Sequence, residues 1–296
     1  MVSPEAGGSI PEVDILGVRV NAIDMDGALD VIDRWITSGA GQYVCVTGVH
    51  GVMESQRDAR LRDIHNAAGL VTPDGMPLVW LSRWRGWRNT ARVYGPDLML
   101  AICERSLATG YRHFFFGGRE GVPERLARRL EKRYPGLAIA GTYSPPFKAM
   151  TPEEEAQVIR RINDAKPDIV WVGLGTPKQE RWMATHVHEL SPSVLIGVGA
   201  AFDFHAGLKR QAPKWMQQSG LEWLFRLASE PRRLWRRYLV NNPQFIWLTL
   251  LETWQRRAAP ASGRQADHSR ANDTQPDSTL EDPKLDAFES SFGARK

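Results

Sequence analysis

Residues 168–180 read DIVWVGLGTPKQE, and their reading decides the fold. Asp168–Gly173 is a short apolar run rich in β-branched and aromatic residues, as expected of a strand covered on both faces. Gly173-Leu174-Gly175 lets the backbone turn tightly. Pro177 then opens a helix reaching His188, because a proline in the first turn loses no hydrogen bond. Strand, glycine turn and helix make one βα unit, and the unit recurs along the chain. Further strand candidates are Asp14–Val20, Tyr43–Thr47, His113–Gly117, Leu137–Thr142 and Val194–Val198. Helix candidates between them are Asp24–Thr37, Val49–Arg57, Met76–Ser82, Asp97–Thr109, Pro123–Tyr134 and Pro152–Ala165. Such alternation predicts an α/β, Rossmann-like architecture with a mostly parallel sheet flanked by helices.

Glycines gather where these strands end. Gly117-Gly118, Gly173-Leu174-Gly175 and Gly197-Val198-Gly199 each follow an expected strand, and the first two lead into helices. Helix N-termini offer free N–H groups to anions, and open α/β sheets bind ligands at this edge. A phosphate-bearing ligand is one reading of Gly117, Gly118, Gly173 and Gly175; plain loop glycine is the other. No P-loop is present, since no Gly-Lys-Ser/Thr follows, and no Gly-x-Gly-x-x-Gly is completed.

The pattern changes after residue 205. Residues 208–240 hold eight Lys or Arg against Glu222 and Glu230, so this segment carries +6 in a chain whose total is +4. Gln218–Val240 is helical in character, with Pro231 as a break. On a helical wheel Arg232, Arg233, Arg236 and Arg237 share one arc, while Leu234, Trp235, Tyr238 and Leu239 fill the other. Five of the eleven tryptophans (Trp215, Trp223, Trp235, Trp247, Trp254) fall in this last region. A helix lying in a membrane interface fits that pattern, and so does a solvated helix packed by its apolar face. Near an anionic bilayer each arginine is worth about 1 kcal/mol. The expected organisation is a core at 1–207, a basic, Trp-rich helical and membrane-associating appendage at 208–257, and a disordered tail at 258–296, where Ser, Asp, Pro and Gln dominate.

Composition narrows the class further. With 42% hydrophobic and 24% charged residues the chain is ordinary globular. Cys45 and Cys103 lie in apolar runs and read as buried thiols of a reducing compartment. The N-terminus lacks the basic and apolar regions of a signal peptide, and no apolar stretch nears the roughly 20 residues of a spanning helix. These features predict a cytoplasmic protein, and the basic helix, in its membrane reading, would hold it at the inner face of the plasma membrane. His186 and His188 diverge at i, i+2 on a helix, so no metal site is expected there. Asp24-Met25-Asp26 opens a helix, where Asp24 reads first as a cap. No nucleophile elbow is present. The tryptophans interleave with Leu and Ile rather than forming a stacking strip, so nucleic acid is not an expected partner.

What remains is a set of polar residues near expected strand ends: Thr47, Asp74, Arg92, Gln179 and Asp203. Asp74 sits in Thr72-Pro73-Asp74-Gly75-Met76, where Asp-Gly alone suggests a turn. Asp203 lies within Ala-Ala-Phe-Asp-Phe, an odd place for a charge without a partner. A carboxylate, an arginine and anion-binding turns are the parts needed for transfer from a diphosphate donor.

At this point the chain resembles the bacterial glycosyltransferases of the WecG/TagA/CpsF type. The resemblance runs from about Ile15 to Phe245. It rests on residues 72–76, Val-Tyr-Gly-Pro-Asp-Leu-Met (93–99), Gly-Leu-Gly-Thr-Pro-Lys-Gln-Glu (173–180), Gly-Ala-Ala-Phe-Asp-Phe-His-Ala-Gly (199–207) and the Ala-Pro-Lys-Trp segment (212–227). It implies inverting transfer of a hexose or N-acetylhexosamine from a UDP-sugar to a polyprenyl-diphosphate-linked saccharide, with no cofactor and no required metal. It further implies Asp74 as general base, Thr47, Arg92 and Gln179 lining the site, and Arg226, Arg233 and Arg236 closing over the donor diphosphate. Many members carry Thr-x-Asn where this chain has Thr47-Gly48-Val49, which shifts attention to His50. The competing expectation is a noncatalytic nucleotide- or lipid-binding regulator at the membrane. A homo-oligomer is compatible with the sequence.

Overall fold

A computed structural model describes residues 10–146, 148, 150–191 and 194–258. The tail expected at 258–296 falls, from residue 259, outside the described residues. The chain opens with a hairpin of β1 (Glu12–Ile15) and β2 (Val18–Asn21), then α1 (Met25–Ser38), β3 (Gln42–Thr47), α2 (Val49–Arg57), α3 (Ala59–Ala67) and β4 (Leu70–Pro73). Next come α4 (Met76–Trp84), α5 (Gly95–Thr109), β5 (Arg112–Gly117), α6 (Val122–Arg133), β6 (Ala138–Tyr143), α7 (Pro152–Ala165) and β7 (Ile169–Gly173). The chain continues through α8 (Lys178–His186), β8 (Val194–Gly197), α9 (Ala201–His205), α10 (Lys214–Gln218), α11 (Glu222–Ser229), α12 (Pro231–Leu239) and α13 (Asn241–Ala258).

Six strands form a parallel sheet in the order β4-β3-β8-β7-β5-β6, so the expected α/β architecture is the one present. Alternating side chains feed two cores. Val44, Phe115, Trp171 and Ile196 face α1, α5 and α6, whereas Cys45, Phe114, Phe116, Val170, Val172 and Leu195 face α2, α7 and α8. Burial on both faces explains the near-continuous apolar runs. Both cysteines are buried free thiols. The chain leaves β3 toward β4 on one side, while β8 is reached from β7 on the other. The switch point therefore lies between the carboxyl ends of β3 and β8, where a crevice opens in such sheets.

Before Asp74, three elements depart from the sequence expectation. Asp14–Val20 is two antiparallel strands rather than one, because Asp14 Oδ1 accepts from the Gly17 amide at 3.0 Å and Leu16 and Gly17 both turn at positive φ. The strand β4 is only four residues long, too short to show a period. Helix α3 is capped by Asp58, whose carboxylate accepts from the Arg60 and Leu61 amides. Asp24 caps α1 through the Gly27 amide at 2.9 Å. The hairpin lies against β4, and Asn21 Oδ1 accepts from the Val71 amide at 2.7 Å.

The described residues through Leu250 form one compact unit and those from Leu251 a second. Helices α10 to α12 therefore pack within the same unit as the sheet. Among the described residues no helix is long and apolar enough to cross a membrane.

Candidate active site

Thr47 ends β3, and its register opposite Pro73 places Asp74 one residue past the end of β4. The turn is held from three sides. The Asp74 amide donates to the Thr47 carbonyl at 2.9 Å, the Val93 amide donates to the Pro73 carbonyl at 3.0 Å, and Arg92 Nε donates to the Asp74 carbonyl. One carboxylate oxygen, Oδ1, accepts from the Gly95 amide at 3.1 Å, at the N-terminus of α5. The other, Oδ2, has no hydrogen-bond partner among the described residues and faces the cleft. Burial raises the Asp74 pKa, Arg92 opposes the rise, Glu222 adds to it, and the Gly95 amide and Arg226 oppose it. Asp74 is thus a half-buried carboxylate, oriented through one oxygen and made more basic by its surroundings.

A cavity of about 680 Å³ spreads in front of it, lined among others by Thr47, His50, Asp74, Arg92, Glu222, Arg226 and Arg237. A smaller recess of about 90 Å³ shares Asp74, Arg226 and Arg237 and reaches Gly175, Gln179 and Gly199. The recess occupies the switch point between β3 and β8. The outer wall of the large cavity is apolar, formed by Met76, Pro77, Trp80, Trp84, Leu221 and Ile246.

The C-terminal helices complete this site. Glu222 on α11 is buried and takes Arg92 Nη2 at 2.5 Å on one oxygen and the Tyr94 hydroxyl at 2.9 Å on the other. The Arg92 guanidinium lies 4.0 Å from the centre of the Tyr94 ring. Arg226 on α11 and Arg237 on α12 turn toward the cleft. Arg237 Nε is buried without a partner, and burial together with Arg226 and Arg233 lowers its pKa. Two guanidiniums on one cavity wall, with no carboxylate paired to either among the described residues, form a cationic cradle for an anion.

The remaining sequence candidates are distributed unevenly. Gln179 is buried, takes the Gly175 amide at 3.1 Å and donates to Glu180 at 3.0 Å, so it braces the glycine turn beside the recess. Gly175 has φ +76 with open space around it and lines the recess. Gly117, Gly118 and Gly173 stand outside both cavities. A Cβ on Gly117 would meet the Gly173 backbone at 2.6 Å, and one on Gly173 would meet the Phe202 ring at 2.7 Å. Close packing is a sufficient reason for Gly117 and Gly173 to be glycine. Asp203 also stands outside, paired with Lys209 at 2.8 Å, and Lys209 in turn pairs with Glu230. Arg233 pairs with Glu230 at 2.7 Å and Arg236 stacks on Trp235, and both are exposed rather than turned into the cleft. His50 lines the cavity; burial, Arg237, Arg57 and Arg226 hold its pKa down at about 3, so the ring is neutral.

Tyr94, Glu222 and Arg237 were not singled out from sequence. Glu222 lies in the segment 212–227, where its position between apolar neighbours was the available signal. Arg237 was counted on the basic face of α12, but Leu234 and Tyr238 are the buried stripe of that helix and carry Arg237 inward beside them. Trp235 and Leu239, on the apolar arc with them, are 46% and 55% exposed.

The chain is similar to proteins named N-acetylglucosaminyldiphosphoundecaprenol N-acetyl-beta-D-mannosaminyltransferase. Identity is 29% over 243 residues with one from Bacillus subtilis, covering 82% of this chain and 92% of that protein. It is 27% over 254 residues with one from Bacillus spizizenii, covering 82% and 96%. With one from Staphylococcus aureus it is 27% over 248 residues, covering 82% and 94%. The sequence profile of the Glycosyl transferase WecG/TagA/CpsF family matches residues 13–259. On that match over most of its length, the chain belongs to the WecG/TagA/CpsF family of glycosyl transferases.

Proposed function

We propose that the protein transfers an N-acetylhexosamine from a UDP-sugar to a saccharide carried on a polyprenyl diphosphate, in the synthesis of a bacterial cell-surface polysaccharide. The observation that carries this reading is Asp74 Oδ2, without a hydrogen-bond partner among the described residues, in a cleft that Arg226 and Arg237 also line. In the reaction an acceptor hydroxyl oxygen attacks the anomeric carbon while Asp74 takes its proton. The bond from that carbon to the β-phosphate oxygen breaks, and UDP leaves with the electron pair. A single displacement inverts the anomeric centre. Arg226 and Arg237 stabilise the charge growing on the departing diphosphate, the kind of fixed electrostatic stabilisation that dominates such steps. These cations do the work that a divalent ion does elsewhere, so turnover is expected to persist in a chelator.

The acceptor is amphiphilic, and so is the cavity. Its inner part is polar, while Trp80, Trp84, Leu221 and Ile246 form an apolar mouth suited to the lipid end. At that mouth Trp80 and Trp84 are exposed; Trp235 on α12 and Trp247 on α13 are exposed as well, with Arg232, Arg233 and Arg236 on the exposed face of α12. Aromatic rings beside arginines suit the interface of an anionic membrane. A panel of UDP-N-acetylhexosamines with a short-chain lipid-linked acceptor, scored for UDP release and for the anomeric configuration of product, tests the proposal. UDP binding without acceptor-dependent release in every combination would instead favour a noncatalytic role.

A further inference from the structure

We infer that Asn241, at the start of α13, fixes the tautomer of His50 so that the ring presents an Nε2–H donor to an oxygen of the transferred sugar. This deepens the transfer reading above and rests on it. Arg57 supplies the first constraint. Its Nη2 donates to Asn241 Oδ1 at 2.7 Å and to Gln244 Oε1 at 2.9 Å, while Nη1 donates to Glu54 at 2.7 Å. A guanidinium has only donors, so the Asn241 carbonyl must be the group that faces it. The Asn241 amide nitrogen is then left for His50 Nδ1, 3.1 Å away. An NH₂ group needs a lone pair there, which places the ring proton on Nε2.

The surroundings oppose any other state. Glu54 Oε1 lies 3.8 Å from Nδ1, beyond hydrogen-bond reach. A protonated ring would sit among Arg57 of α2, Arg226 of α11 and Arg237 of α12, with Glu54 the anion beside it on its own helix. Nε2 has no protein partner among the described residues, and His50 lines the large cavity. A neutral Nε2–H donates to an oxygen, a hydroxyl or an acyl carbonyl, and rejects an N–H presented at the same place. The position following Val49 thereby becomes specificity-determining, with Asn241 as its positioning residue.

The test uses the full chain labelled with ¹⁵N-histidine, read by long-range proton–nitrogen correlation. His50 is expected as the Nε2–H tautomer from pH 6 to 8, with no titration in that range. In Asn241→Asp the carboxylate still pairs with Arg57 but must accept from Nδ1–H, so the nitrogen signature of His50 changes. With the UDP-sugar that the wild-type protein turns over, Asn241→Asp and His50→Leu should raise KM about tenfold, a typical loss for one hydrogen bond. The effect on KM should exceed that on kcat, and His50→Gln, which keeps an N–H donor, should recover most of it. A wild-type Nδ1–H tautomer, a signature unmoved in Asn241→Asp, or an unchanged KM in His50→Leu would overturn the inference. If no UDP-sugar is turned over, the transfer reading fails by itself, and the tautomer measurement still decides the role of Asn241.

Discussion

Asp74 is held under two opposing demands. Its raised pKa makes it a better base, but the same burial makes its charged form costly to the fold. A carboxylate whose pKa rises on folding favours the folded state when protonated, and that advantage is lost as pH climbs through the folded pKa. Asp74→Asn should therefore melt higher than the wild-type protein at pH 7–8, with the gap closing as the buffer is taken down toward the carboxyl range. Scanning calorimetry across pH would show it. The same variant should lose roughly 10²–10⁴-fold in kcat, the usual contribution of a positioned base. Retained turnover in a folded Asp74→Asn protein would remove Asp74 from the mechanism. Activity of the wild-type enzyme should fall on the acid side as Asp74 protonates. At this scale Thr-Pro-Asp-Gly-Met showed a turn with a carboxylate in it. The Gly95 amide that orients Oδ1, twenty-one residues on, could not be read from the turn.

Between elements, much depends on Glu222 and Asn21. Glu222 holds Arg92 and Tyr94 at once, so truncation to alanine strands a buried guanidinium beside a lost hydroxyl partner. Breaking one side of a buried pair costs about 3–5 kcal/mol, and urea denaturation of Glu222→Ala should show a loss of that order. Asn21 acts at the edge of the sheet. By taking the Val71 amide it ties the hairpin to the edge of β4 and gives a buried donor its partner. Asn21→Ala should cost about 1–3 kcal/mol, the usual penalty for an orphaned buried donor. The long strands, their glycine turns and the helix starts at Pro152 and Pro177 were legible because each is a local pattern. The hairpin, β4 and the inward turn of Arg237 were not. Each is decided by a partner distant in sequence, and Leu16 and Gly17 at positive φ interrupt what looks like one strand.

For the molecule as a whole, the exposed arginines and tryptophans give a measurable prediction. Neutralising Arg232, Arg233 and Arg236 together should weaken partitioning onto anionic vesicles by about 3 kcal/mol, roughly 10²-fold, at about 1 kcal/mol per charge. Sedimentation with vesicles at low and high salt measures it; binding unchanged in the triple variant would place the membrane contact elsewhere. The basic stretch itself was plain in the sequence. Its division into an outward group and an inward pair was not, because a helical wheel gives angles without saying which arc meets the core. The inward pair, Arg226 and Arg237, has a consequence for how the enzyme finishes each cycle. Two like charges kept side by side repel until an anion comes between them, so UDP should protect the protein from heat. Saturation at a hundredfold over Kd would add about 2.7 kcal/mol. A grip that speeds bond cleavage would also hold the spent nucleotide. Turnover should accordingly be sensitive to product inhibition, with nucleotide escape rather than chemistry setting the pace once both substrates are abundant.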